Sequence, residues 1–577
     1  MEFDLIIKNG RIYDGSGDKS YFSDIAIKNG KIFDISNLDK HNAKIVINAK
    51  HQVVCPGFID VHSHADLSVH LKNHHQILEP LLRQGITTFV GGNCGMGLAP
   101  FSNEFRKDAF TYIEAIIGKN QAPSITWNNT ADFFVTLEKR GLAMNCGMLI
   151  PHGLLRIAAK GMQNTIADKK EISIMKKYLE EGLEAGALGM STGLMYFPGL
   201  GADENELIEL AKVLSNKDRV FTCHIRSYSN TLDNAIEELM DISRQSGVRV
   251  QLSHLFWLPH VNKIVDGITN SVARFLASIY KHVKIPIPLD IEIKKRLSYI
   301  GDEIKKGMPM GFDVMPTGTG FTHALAFFPP WSLTGDRQKI INRLKDKKTR
   351  KRIYKSIQKG QSIWPHRDKD TWSMNFFKVM GFKSIFLMSA ASNKNKKYEG
   401  MNFFEIGKKT GKNAFDAVCD MLIEEDGQLL VFETPTYPGD EFVERSIYSS
   451  IKDANSSIVT DSILFGFGKS SHLFYDCYPR IFSKYVREEK ILTMEEAVRK
   501  STYLPAFQLG IKDRGLLKKG FWADIVIFNP DTIQSLSTPQ TPDVFPEGID
   551  YVLVNGNQVV TPNGYFPEPR SGMLIRR

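Results

Sequence analysis

Five short apolar runs, the first entering at Phe58 and the last ending on Asp461, each deliver a residue that can bind a metal or move a proton. Gly57-Phe58-Ile59-Asp60-Val61 leads into His62-Ser63-His64. Gly85-Ile86-Thr87-Thr88-Phe89-Val90 leads into Gly91-Gly92-Asn93-Cys94-Gly95. Arg219 to His224, Val248 to His254 and Ser457 to Asp461 complete the set. Runs rich in β-branched and aromatic residues read as strands. Side chains alternate along a strand, so a strand over 58–64 would aim His62 and His64 into one space and would turn Cys223 away from the side His224 faces. Helical spacing of apolar residues separates the runs, over Ile172–Ala185, Leu232–Ser246 and Met494–Leu509. Strand–helix alternation predicts a parallel sheet with crossover helices. An open doubly wound sheet competes with a closed barrel; convergence of five strand ends favours a (β/α)8 TIM-like barrel, whose active sites lie at the carboxyl ends of the strands.

The 577 residues are enough for a barrel and attachments. Both ends are written in another style. Asn9-Gly10, Asp14-Gly15 and Asn29-Gly30 punctuate short strands near the start, and Asn555-Gly556 does so near the finish; Asn-Gly between apolar runs signals a hairpin. The reading is one small β domain made of residues 1–57 and 511–577, flanking a barrel over 58–510 with insertions at about 255–310 and 321–375. No run approaches the roughly 18 apolar residues of a membrane span, and six cysteines do not make a disulfide scaffold in so long a chain. A cytoplasmic protein without membrane or nucleic-acid partners is expected. The net charge of +9 is mild, and the dense basic stretch Arg343–Arg352 reads as a solvated helix face rather than a polyanion site.

A thiol with several imidazoles suits zinc better than magnesium or calcium, which take oxygen ligands. Glycines around Cys94 permit a tight turn that brings it close to other groups. Asp461 is the expected general acid–base, taking a proton from the attacking water and handing it to the departing amine. Arg226 lies two residues past His224 and is a candidate for holding a substrate anion, with a structural salt bridge as the competing role. His472 reads as an exposed loop histidine.

Several segments resemble the N-acyl-D-amino-acid deacylase (D-aminoacylase) branch of the amidohydrolase superfamily. They are Pro56 to Asp66, Gly92-Asn93-Cys94-Gly95, Gly186 to Tyr196, Cys223-His224-Ile225-Arg226, Thr460-Asp461-Ser462 and Pro546 to Gly556. The resemblance implies a β-sandwich built from both termini and a small-molecule amide substrate, most simply an N-acyl-D-amino acid. It implies that Cys94, His224 and His254 hold one tight zinc, with His62 and His64 contributing to a second, weaker position. Tyr196 and His152 fall in segments similar to the family's substrate region. The chain departs from the pattern where the family anchors a carboxylate: Phe256 replaces a lysine, and His472-Leu473-Phe474 replaces a His-Pro-Arg sequence. Hydrolysis of a cyclic amide, an imide or another neutral amide is therefore an alternative, and a catalytically silent scaffold is an alternative of another class. The sequence leaves the oligomeric state open.

Overall fold

The computed structural model describes residues 2–118, 121–258, 290–360, 363–367, 371, 375–434 and 439–577. Eight parallel strands form the central sheet: β1 (Phe58–Asp60), β2 (Ile86–Gly91), β3 (Asn145–Pro151), β4 (Gly189–Gly193), β5 (Val220–His224), β6 (Arg249–Leu252), β7 (Met310–Val314) and β8 (Ser456–Ile458). They pair in that order from β1 to β8. The ring closes just beyond the strands. The Asp461 N–H donates to the His62 carbonyl at 2.9 Å, and the His64 N–H donates to the Ser462 carbonyl at 2.8 Å. Helices cover the outside, making this a closed (β/α)8 barrel with residues buried on both faces of its strands.

β1 is shorter than expected, ending at Asp60 rather than His64. Asp60 is spent on closure: its carboxylate accepts the Thr460 N–H at 3.1 Å and the Thr460 hydroxyl. Ser63 then bridges directly to Ser462. His62 and His64 thus hang from the seam between the first and eighth strands.

The helix that leads into β4 runs Lys169–Glu184, started by a capping box between Asp168 and Glu171. Leu232–Ser246 matches its expected span and stops at Gly247 in the left-handed region. The segment Met494–Leu509 is two helices, Met494–Ser501 and Tyr503–Leu509. Pro505 explains the break: it has no N–H to give, and its ring would clash with the carbonyl of Ser501 in a continuous helix.

The two ends of the chain share one sheet. Val53–Pro56 pairs antiparallel with Ile525–Phe528, joining strands from the start to strands from the finish. Leu5, Ile7, Ile25 and Ile47 pack with Leu517, Ile525 and Leu553 in one buried cluster. A third, three-stranded antiparallel sheet lies in the excursion between β7 and β8 and consists of Gly320–His323, Leu429–Glu433 and Ile385–Ala390. The basic stretch lies in helices Arg337–Lys345 and Lys347–Lys359 of the same excursion. Its arginines are engaged within the protein: Arg343 donates to the Ser332 and Thr334 carbonyls, Arg350 pairs with Asp416 and Asp420, and Arg352 stacks 4.1 Å from the Trp331 ring centre. Of the region 255–310, residues 259–289 lie outside the described residues.

Candidate metal centre

The turn that carries Cys94 is built by close approach. A Cβ on Gly92 would meet the Leu149 carbonyl oxygen at 2.2 Å, so no other residue fits there. Asn93 donates through its amide to the Val90 carbonyl at 2.9 Å and to the Val61 and Ser63 carbonyls at 3.3 and 3.4 Å, clamping the ends of β1 and β2. From β4, Ser191 donates to the Gly92 carbonyl and accepts the Gly95 N–H at 3.0 Å. Gly193 has no room for a side chain because the Cys94 carbonyl oxygen would lie 2.1 Å away. The Ser191-Thr192-Gly193 segment is thus the brace of the Cys94 turn.

The braced thiol meets four imidazoles. The Cys94 sulfur lies 3.2 Å from His62 Nε2, 3.5 Å from His224 Nδ1 and 3.8 Å from His254 Nε2. Asp461 Oδ1 lies 3.4 Å from His62 Nε2 and 3.3 Å from His64 Nε2. Two groups of ligand atoms result, each with all atoms within 4.8 Å of one another: His62, His64, Cys94 and Asp461, and Cys94, His224 and His254. Cys94 belongs to both. All six residues are buried. Burial alone would raise the Cys94 thiol, but the charges of His62 and His224 and hydrogen bonds from His224 and His254 outweigh it and hold the thiol well below its ordinary value. Buried sulfur and nitrogen donors, with the Asp461 Oδ1 edge shielded from solvent and, among the described residues, without a hydrogen bond, fit a zinc-type ion.

Cys94, His254 and Asp461 all take left-handed backbone, with φ of +53°, +36° and +50°. For residues with a Cβ this conformation is strained, and such strain gathers at functional sites. Here each reversal occurs just past a strand end and turns the side chain inward over the barrel mouth.

Asp313, at the end of β7, is a further member that sequence reasoning passed over. Its Oδ1 accepts the His254 backbone N–H at 2.6 Å and lies 3.6 Å from His62 Nδ1, while Oδ2 accepts from the Gln251 side-chain amide at 3.1 Å. One carboxylate thus fixes the backbone at His254 and sets a negative charge behind the His62 ring, close to where outer partners sit behind metal ligands. The apolar run Gly311-Phe312-Asp313-Val314 carried the same signal as the other strands.

The other expected site residues divide. Tyr196 lines the cavity above the cluster, its ring 4.7 Å from that of His224. Arg226 does not line it. Its side chain is fully buried, with Nε 2.9 Å from Glu238 and both terminal nitrogens donating to the Leu200 and Ala202 carbonyls. Each of its three nitrogens is engaged in structure, and none reaches the cavity. Because breaking a buried pair strands a charge at a cost of about 3–5 kcal/mol, Arg226→Met should lower the thermal midpoint while KM stays near its starting value. A raised KM with unchanged stability would return Arg226 to the substrate site. His152 is likewise buried outside the cavity lining, 2.7 Å from Glu206, which also pairs with Arg156. His472 is buried rather than exposed: it precedes the helix Leu473–Arg480, and its carbonyl accepts the Ser537 hydroxyl at 2.8 Å. Cys223 is buried, and strand alternation sets it on the opposite side of β5 from His224.

The cavity measures about 950 Å³ out to its open mouth. Its floor is the cluster, and Met96, Met195, Phe256 and Met380 form apolar walls. Phe256 stacks on Tyr228 with ring centres 4.9 Å apart and planes 2° apart. The three-stranded sheet supplies Phe321, Thr322, His323, Met388, Leu430 and Glu433. Phe474 is buried beneath it, edge-on to Phe321 at 4.9 Å.

Comparison with known proteins places this architecture. Residues 469–560 match the amidohydrolase family profile. The chain is 28% identical to N-acyl-D-glutamate deacylase of Alcaligenes xylosoxydans xylosoxydans over 576 residues, covering 100% of this chain and 97% of that protein. It is 24% identical to D-aminoacylase of the same organism, covering 100% and 98%. Over its whole length the chain is thus similar to the D-aminoacylase family of amidohydrolases. In fold it superposes on the crystal structure of N-acyl-D-glutamate deacylase from Bordetella bronchiseptica, a complex with zinc and a phosphonate mimic of the tetrahedral intermediate, with a TM-score of 0.75, 24% identity and full coverage of both chains. A D-aminoacylase crystal structure matches with a TM-score of 0.75 at 22% identity, again over both full chains. The family match at 469–560 contains none of the six cluster residues, so the geometry of the cluster stands apart from that match.

Proposed function

We propose that this chain is a zinc-dependent amidohydrolase that cleaves the acyl–nitrogen bond of N-acyl-D-amino acids, giving a carboxylate and a D-amino acid. The observation that carries the reading is the convergence of Cys94, His224 and His254 beside Asp461 at one barrel mouth. Full-length relatives named as D-amino-acid deacylases support it. Cys94, His224 and His254 would hold one tight zinc, and His62 and His64 would serve a second, weaker position. When bound, zinc supplies Lewis acidity, polarising an amide carbonyl and making water nucleophilic near neutral pH.

The chain's own residues do the rest. Asp461 is fixed by its backbone bond to the His62 carbonyl and presents Oδ1 toward the cluster. There it takes the proton of the attacking water and returns it to the nitrogen as the C–N bond breaks. The apolar walls exclude bulk water, which strengthens each polar contact inside. All six cysteines are free and buried, in keeping with work in the cytoplasm.

One feature favours a second reading, a neutral or cyclic amide as substrate. Among the described residues that line the cavity there is no lysine and no arginine. A substrate carboxylate left unpaired against such walls is costly. N-acetyl-D-glutamate and N-acetyl-D-aspartate are therefore expected to be poor substrates beside apolar N-acetyl-D-amino acids. Steady-state kinetics on zinc-loaded protein, with hydantoin and dihydrouracil as cyclic amides, decide between the readings. Preference for the acidic pair would reject the cavity argument, and hydrolysis of the cyclic amides alone would select the second reading.

A further inference from the structure

Two polar side chains in the cavity have no role in the chemistry above and, among the described residues, no hydrogen-bond partner. His323 is buried at 7% exposure, and neither ring nitrogen has a hydrogen bond. Glu433 lies on the neighbouring strand, and its Oε2 is shielded from solvent without a partner. Both line the cavity from the three-stranded sheet. Backbone geometry makes room for the carboxyl: Gly320 stands opposite Glu433, and a Cβ there would meet Oε1 at 2.7 Å. The cavity thus carries one acidic group outside the metal cluster and its Asp461, and no described cation to meet it. Burial and the charge of Asp461 push the Glu433 carboxyl up to about 8, the mark of a carboxylate without a counter-ion.

We propose that Glu433 forms the side-chain subsite of this enzyme and His323 the contact for the substrate's α-carboxylate, and that the enzyme takes a basic N-acyl-D-amino acid, with the side-chain ammonium on Glu433 and an N–H of His323 given to the α-carboxylate. The proposal rests on the deacylase reading and deepens it by naming the substrate class. A charge-assisted hydrogen bond satisfies the stranded carboxyl oxygen. A substrate carrying one carboxylate and one ammonium enters the apolar cavity without net charge, whereas N-acyl-D-glutamate would bring two further negative charges beside Glu433 and Asp461. A pocket built to pair a polar group discriminates strongly against analogues that lack it, because its own group is then left unpaired. The chain would thus work on the opposite charge class from the relatives named for D-glutamate and D-aspartate.

The test uses three matched compounds, N-acetyl-D-lysine, N-acetyl-D-norleucine and N-acetyl-D-glutamate, with the full-length zinc-loaded protein and its Glu433→Gln and Glu433→Lys variants. For the wild type we expect kcat/KM to favour the lysine compound over norleucine by about tenfold or more, with glutamate last. In Glu433→Gln the lysine and norleucine values should converge, and in Glu433→Lys the order of lysine and glutamate should reverse. Calorimetric binding of the lysine and norleucine compounds to the metal-free protein gives a readout that needs no turnover, and the wild-type order itself needs no variant to fold. Hydrolysis that favours norleucine or glutamate over lysine would overturn the subsite and leave the deacylase reading standing. Selective lysine binding that depends on Glu433, with none of the three amides cleaved, would uphold the subsite and overturn the deacylase reading.

Discussion

Cys94→Ala is expected to strip the tightly held metal and bring amide hydrolysis below detection. The thiol is the one side chain common to both groups of ligand atoms, so its loss removes a donor from each. The turn around it offers no replacement donor: Gly92, Gly95 and Gly193 carry no side chain, and Ser191 is committed to the turn. His254→Ala should act in the same direction through the second group alone. Elemental analysis of the purified variants, alongside Cys94→Ser to keep the side-chain volume, is the measurement. Full metal content in either alanine variant would show that the ligands have been assigned wrongly.

Asp461→Asn should behave differently. The amide keeps the carboxylate's shape but cannot take a proton from water, so kcat should fall by about 10²-fold or more, while Cys94, His224 and His254 still retain metal. The left-handed backbone at Asp461 tolerates asparagine well, because Asn and Asp adopt it more readily than other side-chain-bearing residues. The split between metal content and turnover separates a proton carrier from a ligand. Near-normal turnover would take Asp461 out of the mechanism, and loss of the metal with the activity would make it a ligand instead.

The barrel and the six cluster residues were legible because each rests on a local pattern: an apolar run of strand length that stops on His, Cys or Asp. Asp313 obeyed the same pattern and was missed because it sits inside the run, flanked by Phe312 and Val314, rather than after it. Arg226 misled through its position. Two residues past His224 suggests the same direction, but the strand ends at His224, and alternation no longer governs beyond it. The break at Thr502 was visible in Pro505, and a continuous apolar period hid it. Glu433 and His323 could not be found from sequence at all. Each becomes part of the cavity only because the sheet between β7 and β8 folds back over the barrel mouth, a long-range event with no local signature. Tyr228 is of the same kind, placed by its stack on Phe256.

The seam that closes the barrel sets an order in time. The bonds between residues 62–64 and 461–462 join parts of the chain made some 400 positions apart. On a growing chain, Cys94, His224 and His254 are all available well before Asp461 has been polymerised. Asp461, the proposed proton carrier, arrives last, and it takes its place only when the eighth strand docks and zips the ring shut. The proposed metal donors are therefore all on the chain before the proposed proton carrier, and only closure of the ring by the eighth strand brings the two together.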